Sequence, residues 1–154
     1  MHIRRPRPQE GDILLAVWER SVRASHTFLS DSDVRALRPL VAVYLAGDAL
    51  DLWVLADDAN VAVGFLGIAG DAIDALFLDP AYRGLGYGRR LVEYAQAMRP
   101  GCPLTVDVNE QNEGACRFYA TLGFVVVSRS PLDDAGRPFP LLHMRRGAMA
   151  KMIF

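Results

Sequence analysis

The 154-residue chain is poor in the features that mark most specialised protein classes. Two cysteines, Cys102 and Cys116, are too few for a disulfide framework, so free thiols in a reducing compartment are expected. Neither sign of charge dominates: 17 Lys plus Arg stand against 18 Asp plus Glu, a formal net charge of −1. That balance leaves no global basic field to hold nucleic acid. No uninterrupted apolar run approaches a membrane span, so no membrane partner is expected. Arg4, Arg5 and Arg7 come early, but Pro6, Pro8, Glu10 and Asp12 occupy the place of a signal peptide's apolar core, which points to a cytoplasmic protein. No His, Cys and Asp cluster shows metal-ligand spacing, so no metal is expected. Repeats, low-complexity tracts and a linker long enough to divide domains are also missing.

What is present is an ordinary globular composition, 51% apolar and 23% charged. A chain of this length buries roughly 70% of its unfolded surface. We read residues 1–154 as one domain with its core over about 10–145. Ile13, Leu14, Val17 and Trp18 predict a helix over 9–24. Ser30 with Asp33 reads as a capping pair opening a second helix, which Pro39 should kink or split and Gly47-Asp48 should end. Strands are predicted over 50–56, 61–69 and 73–78, the last stopped by Asp79-Pro80. The pattern then alternates: a helix over 86–98, a strand over 104–108, a helix over 112–122 closed by Gly123, a strand over 124–128 and a last strand over 140–145. This order implies an α/β fold with a mixed sheet and helices on both faces.

The most informative stretch runs from Leu76 to Arg90. A strand ends, a turn carries Gly84, Gly86 and Gly88, and a helix begins. The first N–H groups of a helix lack intrahelical partners, and its start carries roughly half a positive charge. Such a start binds phosphate oxygens, and Arg83, Arg89 and Arg90 add full charges nearby. The segment is a credible pyrophosphate cradle. It lacks the Gly-Lys-Ser/Thr of a P-loop, and it follows an antiparallel meander, unlike a dinucleotide fingerprint. A glycine-rich turn with solvated arginines is the plainer reading.

Arg83-Gly-Leu-Gly86-Tyr-Gly88, followed by Asn112-Glu-Gly-Ala115-Cys-Arg-Phe118-Tyr119-Ala-Thr-Leu-Gly123-Phe124, resembles the GNAT superfamily of acetyl-CoA-dependent N-acetyltransferases. The two segments match the family's Arg/Gln-x-x-Gly-x-Gly/Ala and Asn-x-x-Ala-x-x-Phe-Tyr patterns, in order and separated by one helix and one strand. Residues 18–29 resemble the first-helix region of a YjaB-like bacterial branch. The resemblance implies a central, mostly antiparallel sheet with helices on both faces. It implies acetyl-CoA as co-substrate, with backbone groups of Leu76, Phe77 and Leu78 along its pantetheine arm. Arg83, Gly84, Leu85, Gly86, Tyr87, Gly88 and Arg89 would hold its pyrophosphate. Asn112 would bond the pantetheine arm, a role compatible with a plain N-cap. Tyr119 would sit by the thioester sulfur. Family members are often dimers, which leaves a homodimer open.

Acyl transfer to an amine needs a neutral amine, a polarised carbonyl and a protonated leaving thiolate. Neutralising a lysine-type amine at pH 7 costs about 4.6 kcal/mol. Tyr119 is the candidate acid, and it would equally serve as a core aromatic beside Phe118. Asp74 is a candidate base; simple alternation gives it the facing of Leu76 and Leu78, and the alternative is an exposed strand charge. His26 is a second candidate, beside the first helix where the family builds acceptor walls. His143 is a third, and Asp107 could face either way. Neither cysteine has an adjacent histidine, which argues against an acyl-enzyme. The expectation is direct acetyl transfer in a ternary complex to a primary amine of a small molecule, peptide or protein, bound between the 18–45 and 128–145 regions. A CoA-binding sensor without turnover, or a transferase of a longer acyl group, are the rivals.

Overall fold

The structure is a computed structural model that describes residues 1–147. Strand β1 (His2–Arg4) precedes helices α1 (Gly11–Ser25) and α2 (Asp31–Ala46). Strands β2 (Asp51–Ala56), β3 (Ala62–Ala69) and β4 (Ala72–Leu78) form a meander. A short 3-10 turn at Pro80–Tyr82 leads to α3 (Tyr87–Met98), β5 (Thr105–Asn109), α4 (Glu113–Thr121), β6 (Phe124–Ser130) and β7 (Leu141–Arg146). The seven strands make one sheet in the order β1-β2-β3-β4-β5-β7-β6, antiparallel at every junction except β4–β5.

Each face of the sheet has its own apolar layer. Leu14, Val17, Trp18 and Val22 of α1 and Val34 of α2 pack with Val54, Phe65 and Ala75. Leu91, Val92 and Ala95 of α3 and Tyr119 of α4 pack with Leu66, Val106, Val108 and Met144 on the other side. Helices on both faces, as the alternating pattern implied, are therefore found.

Local chemistry explains most element ends. Ser30 Oγ accepts the N–H of Asp33 while the Asp33 carboxylate accepts that of Ser30, a complete capping box. Pro39, however, does not split α2, which runs unbroken to Ala46. Pro39 sits on the solvent face, so the carbonyl its ring leaves unpaired meets water, while Val34, Leu37 and Val41 hold the opposite side on the core. Strand β1 has no counterpart in the sequence reading. It is three residues long, and its pairing to β2 is reinforced by Arg4, which bridges Glu10 at 2.7 and 2.9 Å and Asn60 at 2.7 Å.

Two irregularities shape the centre of the sheet. Strands β4 and β5 pair only through Ala72↔Thr105 and Ile73↔Val106, and the ladder ends there. The β3–β4 register jumps from Ile68↔Ile73 to Gly67↔Ala75, which leaves Asp74 as the extra residue of a bulge. The split between β4 and β5 therefore starts beside Asp74 and Asp107.

Candidate active site

The cavity at this split has a volume of about 510 Å³. Its walls come from the second half of α1, the end of β4, the loop into α3, and α4. Leu76, Phe77 and Leu78 line it, as do Arg83, Gly84, Gly86, Tyr87, Gly88, Arg89, Asn112, Tyr119 and His26. Leu85 and Asp74, both expected at the site, lie outside this lining, as do the further base candidates His143 and Asp107. Leu85 is 63% exposed at the tip of the loop, so only its backbone belongs to the turn. Asp74 sits in the bulge, which breaks the alternation that would have aligned it with Leu76 and Leu78.

The loop has the backbone a cradle requires. Gly86 caps α3 at φ +86°, in the left-handed region, where its missing Cβ avoids strain. The first helical bond of α3 runs from Arg90 N–H to the Gly86 carbonyl at 3.1 Å, so the N–H groups of Tyr87, Gly88 and Arg89 precede it without intrahelical acceptors. Gly88 has a different role. A Cβ there would come within 3.1 Å of the Phe118 ring, so glycine is what lets the start of α3 approach α4. The arginines divide. Arg89 lines the cavity, Arg90 donates to the Met1 carbonyl instead, and Arg83 donates to both the carbonyl and the hydroxyl of Ser21 at 3.0 Å. Arg83 thus brings its charge to the cavity while bracing the loop against α1.

His26 is half-buried, and its neighbours define one protonation state. The Asn112 side-chain amide donates to His26 Nε2 at 3.4 Å. The ring proton is then on Nδ1 and donates to Ser25 Oγ at 2.9 Å, and Ser25 donates on to the Ser21 carbonyl at 2.9 Å. Every donor has an acceptor with the imidazole neutral. Burial, with the Arg83 charge as a second cause, lowers the His26 pKa to about 4. A histidine held this way is a poor proton acceptor. Its geometry instead fixes Asn112, whose Oδ1 accepts the Ala115 N–H at 3.1 Å and so caps α4.

Tyr119 is buried against Phe118 and Phe124 and lines the cavity. Burial raises its pKa, and no hydrogen bond to a described residue opposes that rise. The phenol therefore keeps its proton at neutral pH and can donate it. The pKa of Asp74 is also raised, by partial burial and by the carboxylates of Asp107 and Asp134. Asp107 and His143 face away from Val106, Val108 and Met144, on the sheet side opposite Tyr119.

Ser21 and Ser25 escaped the sequence reading. They stand four apart on an otherwise apolar helix stripe and end in His26, a pattern that in retrospect marks a polar seam. The register that sets His143 opposite Asp107 left no trace in the sequence.

No group of His, Cys, Asp and Glu among the described residues is arranged to hold a metal ion, and no helix among them is long and apolar enough to cross a membrane. A family model described as an acetyltransferase (GNAT) domain matches residues 48–126. The chain is 46% identical over 144 residues to the peptidyl-lysine N-acetyltransferase YjaB of Salmonella typhimurium strain LT2, covering 94% of this chain and 97% of that protein. It is 48% identical over 142 residues to the peptidyl-lysine N-acetyltransferase YjaB of Escherichia coli strain K12, covering 92% and 94% respectively. The solution structure of apo-form YjaB from Escherichia coli superposes with a TM-score of 0.86, at 48% identity, over 94% of this chain and 96% of that one.

Proposed function

The chain belongs to the GNAT family of acetyltransferases, and on that premise we propose that it moves an acetyl group from acetyl-CoA to the side-chain amine of lysine in a peptide or protein, as one cytoplasmic domain. The observation that carries the reading is one cavity with two ends of complementary chemistry: free N–H groups and Arg89 at the start of α3, and the protonated phenol of Tyr119 on α4.

The residues fit the donor. The diphosphate of CoA meets the N–H groups of residues 84–89, which cost no side-chain ordering to offer. The pantetheine arm lies along Leu76 to Leu78, where β4 has lost its β5 partner and presents unpaired backbone groups. Asn112, held by His26, keeps a second amide N–H for the same arm. A β4 backbone N–H near Leu78 polarises the thioester carbonyl.

The reaction is direct. The amine nitrogen forms a bond to the acetyl carbon, the carbon–sulfur bond breaks, Tyr119 gives its proton to the departing thiolate, and the proton shed by the nitrogen returns through solvent to restore the phenol. The lysine side chain approaches the split from the face that carries Asp74 and Asp107, whose negative charges draw an ammonium group. The lysine specificity follows the peptidyl-lysine activity of the YjaB relatives. The test is acetyl-CoA with a panel of lysine peptides, small amines and amino sugars, following thiol release and the mass gain of one acetyl group. Acetylated lysine peptide is the expected product. Saturable CoA binding with no thiol release across the panel refutes the reading.

A further inference from the structure

The second half of α1 holds both of the elements that face the donor. Arg20 Nε donates to Asp79 Oδ2 at 2.9 Å, and Asp79 Oδ1 accepts the Ala81 N–H at 3.0 Å, so this ion pair pins the start of the loop between β4 and α3. The next residue, Ser21, accepts the Arg83 guanidinium on its carbonyl and on its hydroxyl oxygen, both at 3.0 Å, just ahead of Gly86. At the end of the helix, His26 accepts the Asn112 amide, at the start of α4. Among the described residues no hydrogen bond joins the loop to Asn112 directly. The polar path between them runs through α1: Arg83, Ser21, Ser25, His26, Asn112. All five residues line the cavity.

Each link of this path has a fixed direction. A guanidinium only donates, so Ser21 accepts. The Asn112 Oδ1 is taken by the Ala115 N–H at 3.1 Å, so the amide cannot turn over and its nitrogen must face His26. Ser21 and Asn112 are 4% and 9% exposed, and a polar group buried that far costs its full desolvation if its bond is not made. On a stripe otherwise built of Leu14, Val17, Trp18 and Val22, what serine adds is an anchor for Arg83. His26 is fixed to the same helix, by its N–H on the Val22 carbonyl at 2.7 Å and by its ring against Phe28 at 5.3 Å. Five helical steps separate Ser21 from His26, about 7.5 Å along the axis. The helix thus acts as a spacer between its two anchor points.

We propose that Ser21 and His26 are positioning residues for the donor, setting on one helix the spacing between the loop that takes its diphosphate and the asparagine that takes its pantetheine arm. The proposal rests on the acetyltransferase reading above. Ser21 acts through Arg83 and His26 acts through Asn112; neither touches the donor. Their effects therefore fall on different parts of the same ligand. Loss of the Ser21 anchor loosens the diphosphate end, whereas loss of the His26 acceptor frees the Asn112 amide and is felt only by a ligand that has the arm. A general weakening of α1 would not separate the two.

The test uses two ligands, CoA and 3′-phosphoadenosine 5′-diphosphate, which is CoA without its arm. Calorimetry gives the affinity of each for the wild type, His26→Phe, His26→Gln, Ser21→Ala, Asn112→Ser and the pair His26→Phe with Asn112→Ser. His26→Phe keeps a ring against Phe28 and removes the acceptor, so CoA should bind roughly 5- to 10-fold more weakly while the armless ligand stays within about 2-fold. His26→Gln offers a side-chain carbonyl to the same amide and should restore CoA binding. Asn112→Ser keeps a cap on α4 but has no amide, and in that background His26→Phe should add no further loss. Ser21→Ala should weaken both ligands by one common factor, roughly 3-fold. The armless ligand also checks folding, and His26→Leu replaces His26→Phe if the larger ring prevents it. Equal losses of both ligands at position 26, failure of His26→Gln to restore binding, or wild-type affinities in Ser21→Ala overturn the proposal alone. A wild type that binds neither ligand overturns the acetyltransferase reading and this proposal with it.

Discussion

Acid should weaken this fold through His26, and the size of the effect follows from its surroundings. An unfolded histidine protonates near its ordinary value of 6.5, whereas the folded one waits until about 4. Between those values the unfolded state holds more protons, so stability is lost as pH falls through the interval and is fully present above it. Linkage gives a loss of about 2 kcal/mol by pH 5 and about 3 kcal/mol by pH 4. The protonated ring would also have to donate from Nε2, where the Asn112 amide already donates, so the seam to Ser25 and Ser21 opens with it. His26→Gln removes the titration and keeps a polar side chain. Urea unfolding of both proteins at several values between pH 7.5 and 4.5 measures the difference. Glu10, held down to about 2 by Arg4, loses its contribution mainly below this range, and Asp74 is common to both proteins. The stability of the wild type relative to His26→Gln should fall by about 2 kcal/mol on going to pH 5. Parallel pH dependences in the two proteins would refute the neutral, half-buried histidine.

Tyr119→Phe should lower kcat by roughly 10²-fold or more while leaving acetyl-CoA affinity in place, as read by steady-state kinetics beside calorimetry; wild-type turnover removes the acid role. Gly88→Val should weaken CoA binding by at least 10-fold, because its Cβ would press on the Phe118 ring and force α3 from α4; binding by calorimetry with helicity by circular dichroism checks this. Arg4→Met leaves the Glu10 carboxylate buried without its partner and should cost about 3 kcal/mol of stability in urea at pH 7, with a smaller penalty below pH 4 as the acid protonates.

Much of this architecture is written in local chemistry. The capping box at Ser30, the αL glycine at Gly86 and the apolar periodicity of α1, α3 and α4 each specify their element within a few residues, and each lies where the sequence puts it. The glycine turn and the helix start behind it were legible for the same reason, since the two are consecutive in the chain. Long-range facts were not. Strand β1 is held by Arg4 reaching Glu10 and Asn60, contacts that no periodicity announces. The unbroken helix through Pro39 depends on which side of α2 meets water. Asp74 was misaligned because one extra residue inverts the facing of a strand, and a bulge has no distinctive composition here. His26 read as a candidate base or as a helix-end surface histidine until its partners, one of them 86 residues away, were in place.

The two rungs that join β4 to β5 also carry a mechanical consequence. Strands β1 to β4 with α1 and α2 lie on one side of that seam and β5, β6 and β7 on the other, so little ladder resists shear between the halves. On the donor placement proposed above, a slender acyl carrier laid into the gap would supply the missing crosspieces. Loading the donor should therefore stiffen the whole molecule from its middle, and the amides of Ile73 and Val106 are where slowed hydrogen exchange would register it first.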